Sequence, residues 1–176
     1  SPMQRRVFVD LVALSAKVVV MAEKGRELLS SVYAVLAGKI EVIPHGIPDT
    51  SYVDSSVAKL RLGFAGKSSV LTFGLLSQNK GIEVMIDAMP EILRNKPDAV
   101  YVVLGATHPN LVRDRGEAYR DSLVARVRDL GVKEHVVFLD RFVDSATLLD
   151  FISMCDVYVT PYLNESQMTS GTLAYS

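Results

Sequence analysis

The sequence of 176 residues has little of what several protein classes require: one cysteine, three histidines and no tryptophan. A single cysteine, Cys155, excludes an internal disulfide, and it is expected to be a small buried residue. The scattered histidines lack metal-ligand spacing, so no metal site is predicted. Lysine and arginine number 19 against 20 aspartates and glutamates, which argues against a nucleic-acid partner.

Long apolar runs are also lacking. The longest, over residues 7–22, is interrupted by Asp10 and Lys17, so it falls short of the roughly 18 residues that a transmembrane helix needs. No signal peptide is evident. These observations predict a protein without a transmembrane segment, and together with the single thiol they favour the cytoplasm.

What the chain does contain is an alternation of apolar segments with segments of helical spacing. The predicted strands cover residues 17–21, 39–43, 69–73, 99–104, 136–139 and 157–160. The predicted helices cover residues 23–34, 55–62, 82–94, 116–130 and 145–154. Continuous apolar strands that alternate with helices predict an α/β fold, with a Rossmann-like parallel sheet flanked by helices. Ligands of such folds bind outside the carboxyl ends of the strands, which selects the loops after Phe73, Leu104, Leu139 and Thr160.

The first of these loops contains Gly74, Lys80 and Gly81. Gly74 lets a ligand approach the backbone, and Lys80 with the free N–H groups of the next helix could bracket a diphosphate. The alternative is a strand-end glycine followed by a solvated lysine. A dinucleotide fingerprint or a phosphate loop would need more glycines.

The second loop contains His108, which is a candidate acid, base or substrate contact, or alternatively a residue that pins a turn. The segment 116–120, GEAYR, opens the next predicted helix, and a solvated helix face is its default interpretation. His45 is interpreted as a loop-stabilising residue, and His135 as structural.

The closing segment combines an acid with small hydroxyl residues: Glu165, then Thr169, Ser170, Gly171 and Thr172. A carboxylate can hold sugar hydroxyls, and a helix start offers N–H groups to a phosphate. The alternative is a helix cap with an acid nearby.

Taken together, four segments resemble the nucleotide-sugar-binding half of the GT-B glycosyltransferases of group 1, a retaining family. They are KIEVIPHGIPD from residue 39, VLTFGLLSQNKGIEVMIDAMPEI from residue 70, VVFLDRFV from residue 136 and CDVYVTPYLNESQMTSGTLAYS from residue 155. Their order and spacing make the match specific.

The resemblance implies a nucleoside-diphosphate sugar as donor, an unknown acceptor, and neither a metal nor another cofactor. It assigns the donor diphosphate to Gly74, Lys80 and residues 169–172, and the sugar to Glu165. Glu165 and His108 are the catalytic candidates. Residues 1–45 would end an acceptor-side domain, residues 46–68 would be a linker, and residues 69–176 would be a donor domain truncated at its C-terminus. The fragment is expected to be inactive without the remainder, and the full-length protein to be cytoplasmic or peripheral to a membrane.

Two positions depart from the family pattern. Leu75 stands where the family commonly has an arginine that contacts the diphosphate, and Leu173 stands where a second glutamate contacts the ribose. A non-catalytic doubly wound nucleotide-binding module, or a nucleotide-sugar epimerase of the same architecture, stays as an alternative.

Overall fold

A computed structural model of the chain describes residues 1–164 and 169–176. The helices are α1 (Pro2–Leu14), α2 (Glu23–Tyr33), α3 (Ser55–Leu62), α4 (Ile82–Asn95), α5 (Pro109–Arg115), α6 (Ala118–Asp129), α7 (Ser145–Met154) and α8 (Gly171–Ala174). The strands are β1 (Val18–Val20), β2 (Ile40–Val42), β3 (Ser68–Phe73), β4 (Ala99–Leu104), β5 (Val136–Leu139) and β6 (Val157–Tyr158). Within the described ranges no helix is both long and apolar enough to cross a lipid bilayer.

The chain divides into two compact units. The first unit contains residues 1–48 and 169–175 of the described chain. Here β1 and β2 pair in parallel, and a small core forms around Leu29, Val35 and Ile40.

The second unit is built on a four-stranded parallel sheet in the order β5-β4-β3-β6. The crossovers from β3 to β4 and from β4 to β5 run in one direction, and the crossover from β5 to β6 runs back. Right-handed connections therefore put α4 and α6 on one face and α7 on the other. On the first face, Ile86 and Met89 of α4 and Leu123 of α6 pack against Tyr101 and Val103 of β4. The predicted fold class, a Rossmann-like parallel sheet flanked by helices, is confirmed.

Local order follows from familiar end signals. Asp54 caps α3 by accepting a hydrogen bond from the backbone N–H of Ser56, and Gly63 ends the helix in the left-handed region. The helix predicted over residues 55–62 is thus confirmed, and it packs on α7 with Ala58 fully buried. The boundaries proposed for the acceptor-side domain, the linker and the donor domain stay predictions.

Local structure differs from the sequence-based prediction in three respects. Helices α1 and α5 form where the sequence pattern predicts none. The last predicted strand is shorter than expected, since β6 ends at Tyr158. Cys155 is half-buried rather than fully buried.

Candidate functional site

Two glycines mark the carboxyl end of the sheet, where β3 and β4 finish. Gly74 and Gly105 have φ angles of 122° and 145°, in the region that disfavours side chains. The Gly74 N–H donates to the Leu104 carbonyl at 3.0 Å. A Cβ on Gly105 would overlap the carbonyl oxygen of Gly74. The two strand ends therefore approach so closely that position 105 has no room for a side chain.

The loops after β3 and β4 continue side by side past the sheet. The Leu76 N–H donates to the Ala106 carbonyl at 2.9 Å, and the His108 N–H donates to the Leu76 carbonyl at 2.9 Å. Leu76 is buried beneath them. The two loops are thus held together by backbone hydrogen bonds beyond the strand ends, so the backbone beside a candidate ligand site is fixed.

Lys80 lies in a short 3-10 turn between β3 and α4. Its ammonium donates to the Tyr162 hydroxyl at 3.0 Å and lies 4.3 Å from the centre of the Tyr162 ring. The expected alternative of a solvated lysine therefore does not describe Lys80, which is half-buried and held by an aromatic side chain.

A buried arginine ties the loops after β4 and β5 together. Arg120 donates from Nη2 to the Gly105 carbonyl at 2.7 Å and lies at 2.7 Å from Asp140. Its Nε donates to the Thr107 hydroxyl at 3.3 Å, and that hydroxyl donates to Glu117. Among the described residues, its buried Nη1 has no hydrogen-bond partner.

The expectation of a solvated helix face over residues 116–120 is wrong for Arg120, which is only 7% exposed. The signal was present in the sequence, since Arg120 shares a helical face with Leu123 and Val127, both buried. Spacings of three and seven residues mark that face.

His108 has a local structural task. It caps α5, because its Nδ1 accepts the backbone N–H of Asn110 at 3.2 Å, and Pro109 occupies the first turn. This geometry fits the expectation that His108 pins a turn. A catalytic role for His108 stays a prediction.

A tyrosine beside the start of α4 is held in its neutral form. The Tyr119 hydroxyl donates to Glu83 at 2.7 Å. Burial raises the pKa of Tyr119, and the hydrogen bond to Glu83 raises it further. This phenol therefore stays protonated at neutral pH and does not serve as a base.

The predicted closing segment belongs to the first unit, as far as it is described. The Ser170 hydroxyl caps α8 by accepting the N–H of Leu173 at 3.2 Å. A Cβ on Gly171 would lie 3.0 Å from Nε2 of His45, so the imidazole lies against this glycine. Glu165 lies outside the described residues. The binding roles of Glu165 and of residues 169–172 stay predictions.

Nothing in the described ranges gathers three histidine, cysteine, aspartate or glutamate side chains where they could hold a metal ion. At the carboxyl end of the sheet, the N–H groups of Gly74 and Gly105 donate to the carbonyls of Leu104 and Leu139, and Arg120 is ion-paired with Asp140. The ammonium of Lys80 is a group that suits an anion.

A parallel sheet with helices on both faces defines a Rossmann-like α/β domain, and ligands of such domains bind at the carboxyl end of the sheet. The profile of the family described as "Glycosyl transferases group 1" matches residues 61–167, more than half of the chain. The chain belongs to this family.

Curated relatives are longer than this chain. A GDP-mannose-dependent alpha-(1-6)-phosphatidylinositol monomannoside mannosyltransferase of Mycolicibacterium smegmatis is 29% identical over 126 residues. That match covers 69% of this chain and 30% of the relative. The chain thus spans about a third of the length of such relatives.

Solved structures confirm the fold. Anabaena HepE in complex with UDP superposes with a TM-score of 0.72 at 22% identity, covering 93% of this chain and 43% of HepE. The C-terminal domain of a group 1 glycosyl transferase, LpcC of Francisella tularensis, gives a TM-score of 0.54 at 21% identity, covering 64% and 60% of the two chains. Because both identities are below 25%, these matches show the shared fold alone.

Proposed function

We propose that this chain is the donor-binding part of a retaining hexosyltransferase, and that its second unit binds the diphosphate of a nucleoside-diphosphate sugar. The observation that carries the proposal is the half-buried Lys80, whose ammonium is fixed in the loop after β3. Family membership supports it. So do the relative named for GDP-mannose and the structural neighbour described with UDP.

The chemistry of the site follows from where charge develops. As the glycosidic bond to the donor sugar breaks, the departing nucleoside diphosphate gains negative charge. A cation placed beforehand stabilises that charge more in the transition state than in the ground state. Lys80 supplies the cation, and Gly74 adds no side chain that would block the phosphates.

Leu75, which stands where the family commonly has an arginine, makes binding of the diphosphate more dependent on Lys80. Leu75 carries no charge, so the loop after Gly74 contributes one ammonium where two cations would share the diphosphate. We propose that Lys80 provides the main charge-assisted contact from this loop and that neither a metal nor a cofactor is required.

Catalysis by the whole protein needs an acceptor site as well. Since the chain spans about a third of its curated relatives, we propose that the 176 residues alone transfer no sugar and bind nucleotide weakly. Robust turnover by the isolated 176-residue chain would contradict this part of the proposal.

The decisive measurement is calorimetric titration of the whole protein that carries this sequence with UDP, GDP and ADP. We expect one of the three to bind in preference to the others. Lys80→Ala should weaken that binding more than tenfold, because a charge-assisted contact contributes roughly 1.5–3 kcal/mol.

Lys67→Ala is the matched control. Lys67 is exposed and directly precedes β3, at the opposite end of the strand from Lys80, so its removal should leave the affinity unchanged. If none of the three nucleotides bound, the result would count against a glycosyltransferase. Unchanged affinity in Lys80→Ala would remove Lys80 from the site.

A further inference from the structure

The turn just before α4 contacts the segment after β6 at three successive positions. The Leu163 N–H donates to the Asn79 carbonyl at 3.1 Å. The next contact is the one between Lys80 and Tyr162. At the third position, a Cβ on Gly81 would overlap the carbonyl oxygen of Pro161. Residues 79–81 and 161–163 thus run against each other as a fitted pair of segments.

Within this pair, Tyr162 constrains Lys80 in two ways. Its hydroxyl accepts a hydrogen bond from the ammonium at 3.0 Å, and its ring lies 4.3 Å away in cation–π geometry. A free lysine side chain samples many rotamers and must lose that freedom when it binds an anion. The contacts with the Tyr162 hydroxyl and ring already restrict the lysine rotamers, so less conformational entropy is lost when an anion binds.

In the part of the chain that the structure describes, these contacts do not use all the donors of the Lys80 ammonium. It has three N–H donors, and one of them is directed to the Tyr162 hydroxyl. A phosphate oxygen can therefore bind Lys80 while the tyrosine contact persists. The tyrosine thus acts as a support for the cation and does not compete with the ligand.

We infer that Tyr162 is a positioning residue that holds Lys80 ready for the donor diphosphate. The inference rests on the proposed function, because it assumes that Lys80 binds the diphosphate. Tyr162 itself needs no contact with the donor, and it acts only through the lysine.

The test compares UDP with uridine, and GDP with guanosine, on the whole protein by calorimetry. Tyr162→Phe keeps the ring and removes the hydroxyl. We expect it to weaken diphosphate binding about threefold to tenfold. Tyr162→Leu removes the ring as well and should weaken it further. Neither variant should change the affinity for the nucleoside, which has no phosphate for Lys80 to bind.

A double-mutant cycle separates positioning from general damage to the fold. In a Lys80→Ala background, Tyr162→Phe should have no further effect on diphosphate affinity, because the residue through which it acts is gone. Tyr52→Phe is the matched control, since Tyr52 is 89% exposed, and it should bind like the wild type.

The outcomes distinguish the inference from the proposed function. If Lys80→Ala weakens binding while Tyr162→Phe leaves it unchanged or tightens it, the positioning role is wrong and the donor site stands. Additive effects in the cycle, or an equal loss of nucleoside binding, would also overturn the positioning role. If neither diphosphate binds the wild type, or Lys80→Ala has no effect, both the donor site and the positioning role fail.

Discussion

The two ends of the four-stranded sheet differ in how far their polar groups are paired within the protein. At the amino end, charged and polar groups are paired with one another. The carboxylate of Asp156 accepts hydrogen bonds from Lys59 at 2.6 and 2.7 Å and from the Ser69 N–H at 2.7 Å. Ser68 donates to Asp98 at 2.7 Å. These contacts join the starts of neighbouring strands to each other and to α3.

At the carboxyl end the strands stop at glycines, and cations lie beyond them. Among the described residues, Lys80 has donors to spare beyond its contact with Tyr162, and one buried nitrogen of Arg120 lacks a partner. Buried polar groups are normally satisfied within a protein, so capacity left over at one end points to a ligand there. We therefore expect the carboxyl end, rather than the amino end, to bind a ligand.

The largest expected effect is that of Gly105→Ala, which tests the close approach of the strand ends at the carboxyl end. The new Cβ would overlap the Gly74 carbonyl oxygen, and alanine disfavours the φ of 145°. We expect a loss of about 3 kcal/mol in the free energy of unfolding. Urea denaturation followed by circular dichroism measures it.

Gly131→Ala provides the control for that substitution. Gly131 also has a positive φ, 68°, but a Cβ there meets no atom within 4 Å. We expect it to cost about 1 kcal/mol, from backbone strain alone. Equal losses in the two variants would show that the close approach of the strand ends contributes nothing.

A smaller effect is expected at the amino end from Asp156→Asn. The substitution leaves Lys59, whose side chain is 12% exposed, without its anionic partner. We expect a loss of about 1–2 kcal/mol in the free energy of unfolding and an unchanged affinity for nucleotide. The exposed pair of Arg126 with Asp87 gives the control, since Asp87→Asn should cost about 0.5 kcal/mol or less. Weakened nucleotide binding in Asp156→Asn would show that the amino end also contributes to binding.

The smallest effect concerns pH. Burial acts to raise the pKa of Asp156, but hydrogen bonds from Lys59 and Ser69 outweigh it, so the pKa lies below its ordinary value of 3.8. A lowered pKa means that the carboxylate stabilises the fold above pH 3.8, and that this stability is lost as the pH falls through the folded-state pKa.

The difference in unfolding free energy between the wild type and Asp156→Asn should therefore shrink as the pH is lowered from 5 to 2. Urea titrations at several pH values check this. A difference that stays constant over this range would show that the carboxylate charge has no part in the stability of the amino end.

Much of this division follows from the sequence, because it depends on local patterns. Continuous apolar runs predicted β3, β4 and β5 within a residue of their observed ends, and strand-end glycines marked the carboxyl end. The family resemblance selected Lys80 from the same loop.

What the sequence did not predict depends on contacts between distant residues. The partner of Lys80 is Tyr162, 82 positions away, and no local pattern connects the two. The burial of Arg120 was missed because an arginine near a helix start usually faces solvent, although its spacing to Leu123 indicated otherwise. Helix α5 was missed although Pro109 after His108 is a start signal.

The distance along the chain between Lys80 and Tyr162 also bears on how the protein folds. Closing a loop of 82 residues costs chain entropy that no short-range contact repays, and β6 pairs with β3 across a similar separation. We therefore expect the contact between Lys80 and Tyr162 to form after the shorter-range contacts of the second unit. A nucleotide that binds only the assembled pair would favour the completely folded second unit over any partly folded one, so that ligand occupancy and resistance to unfolding would rise together.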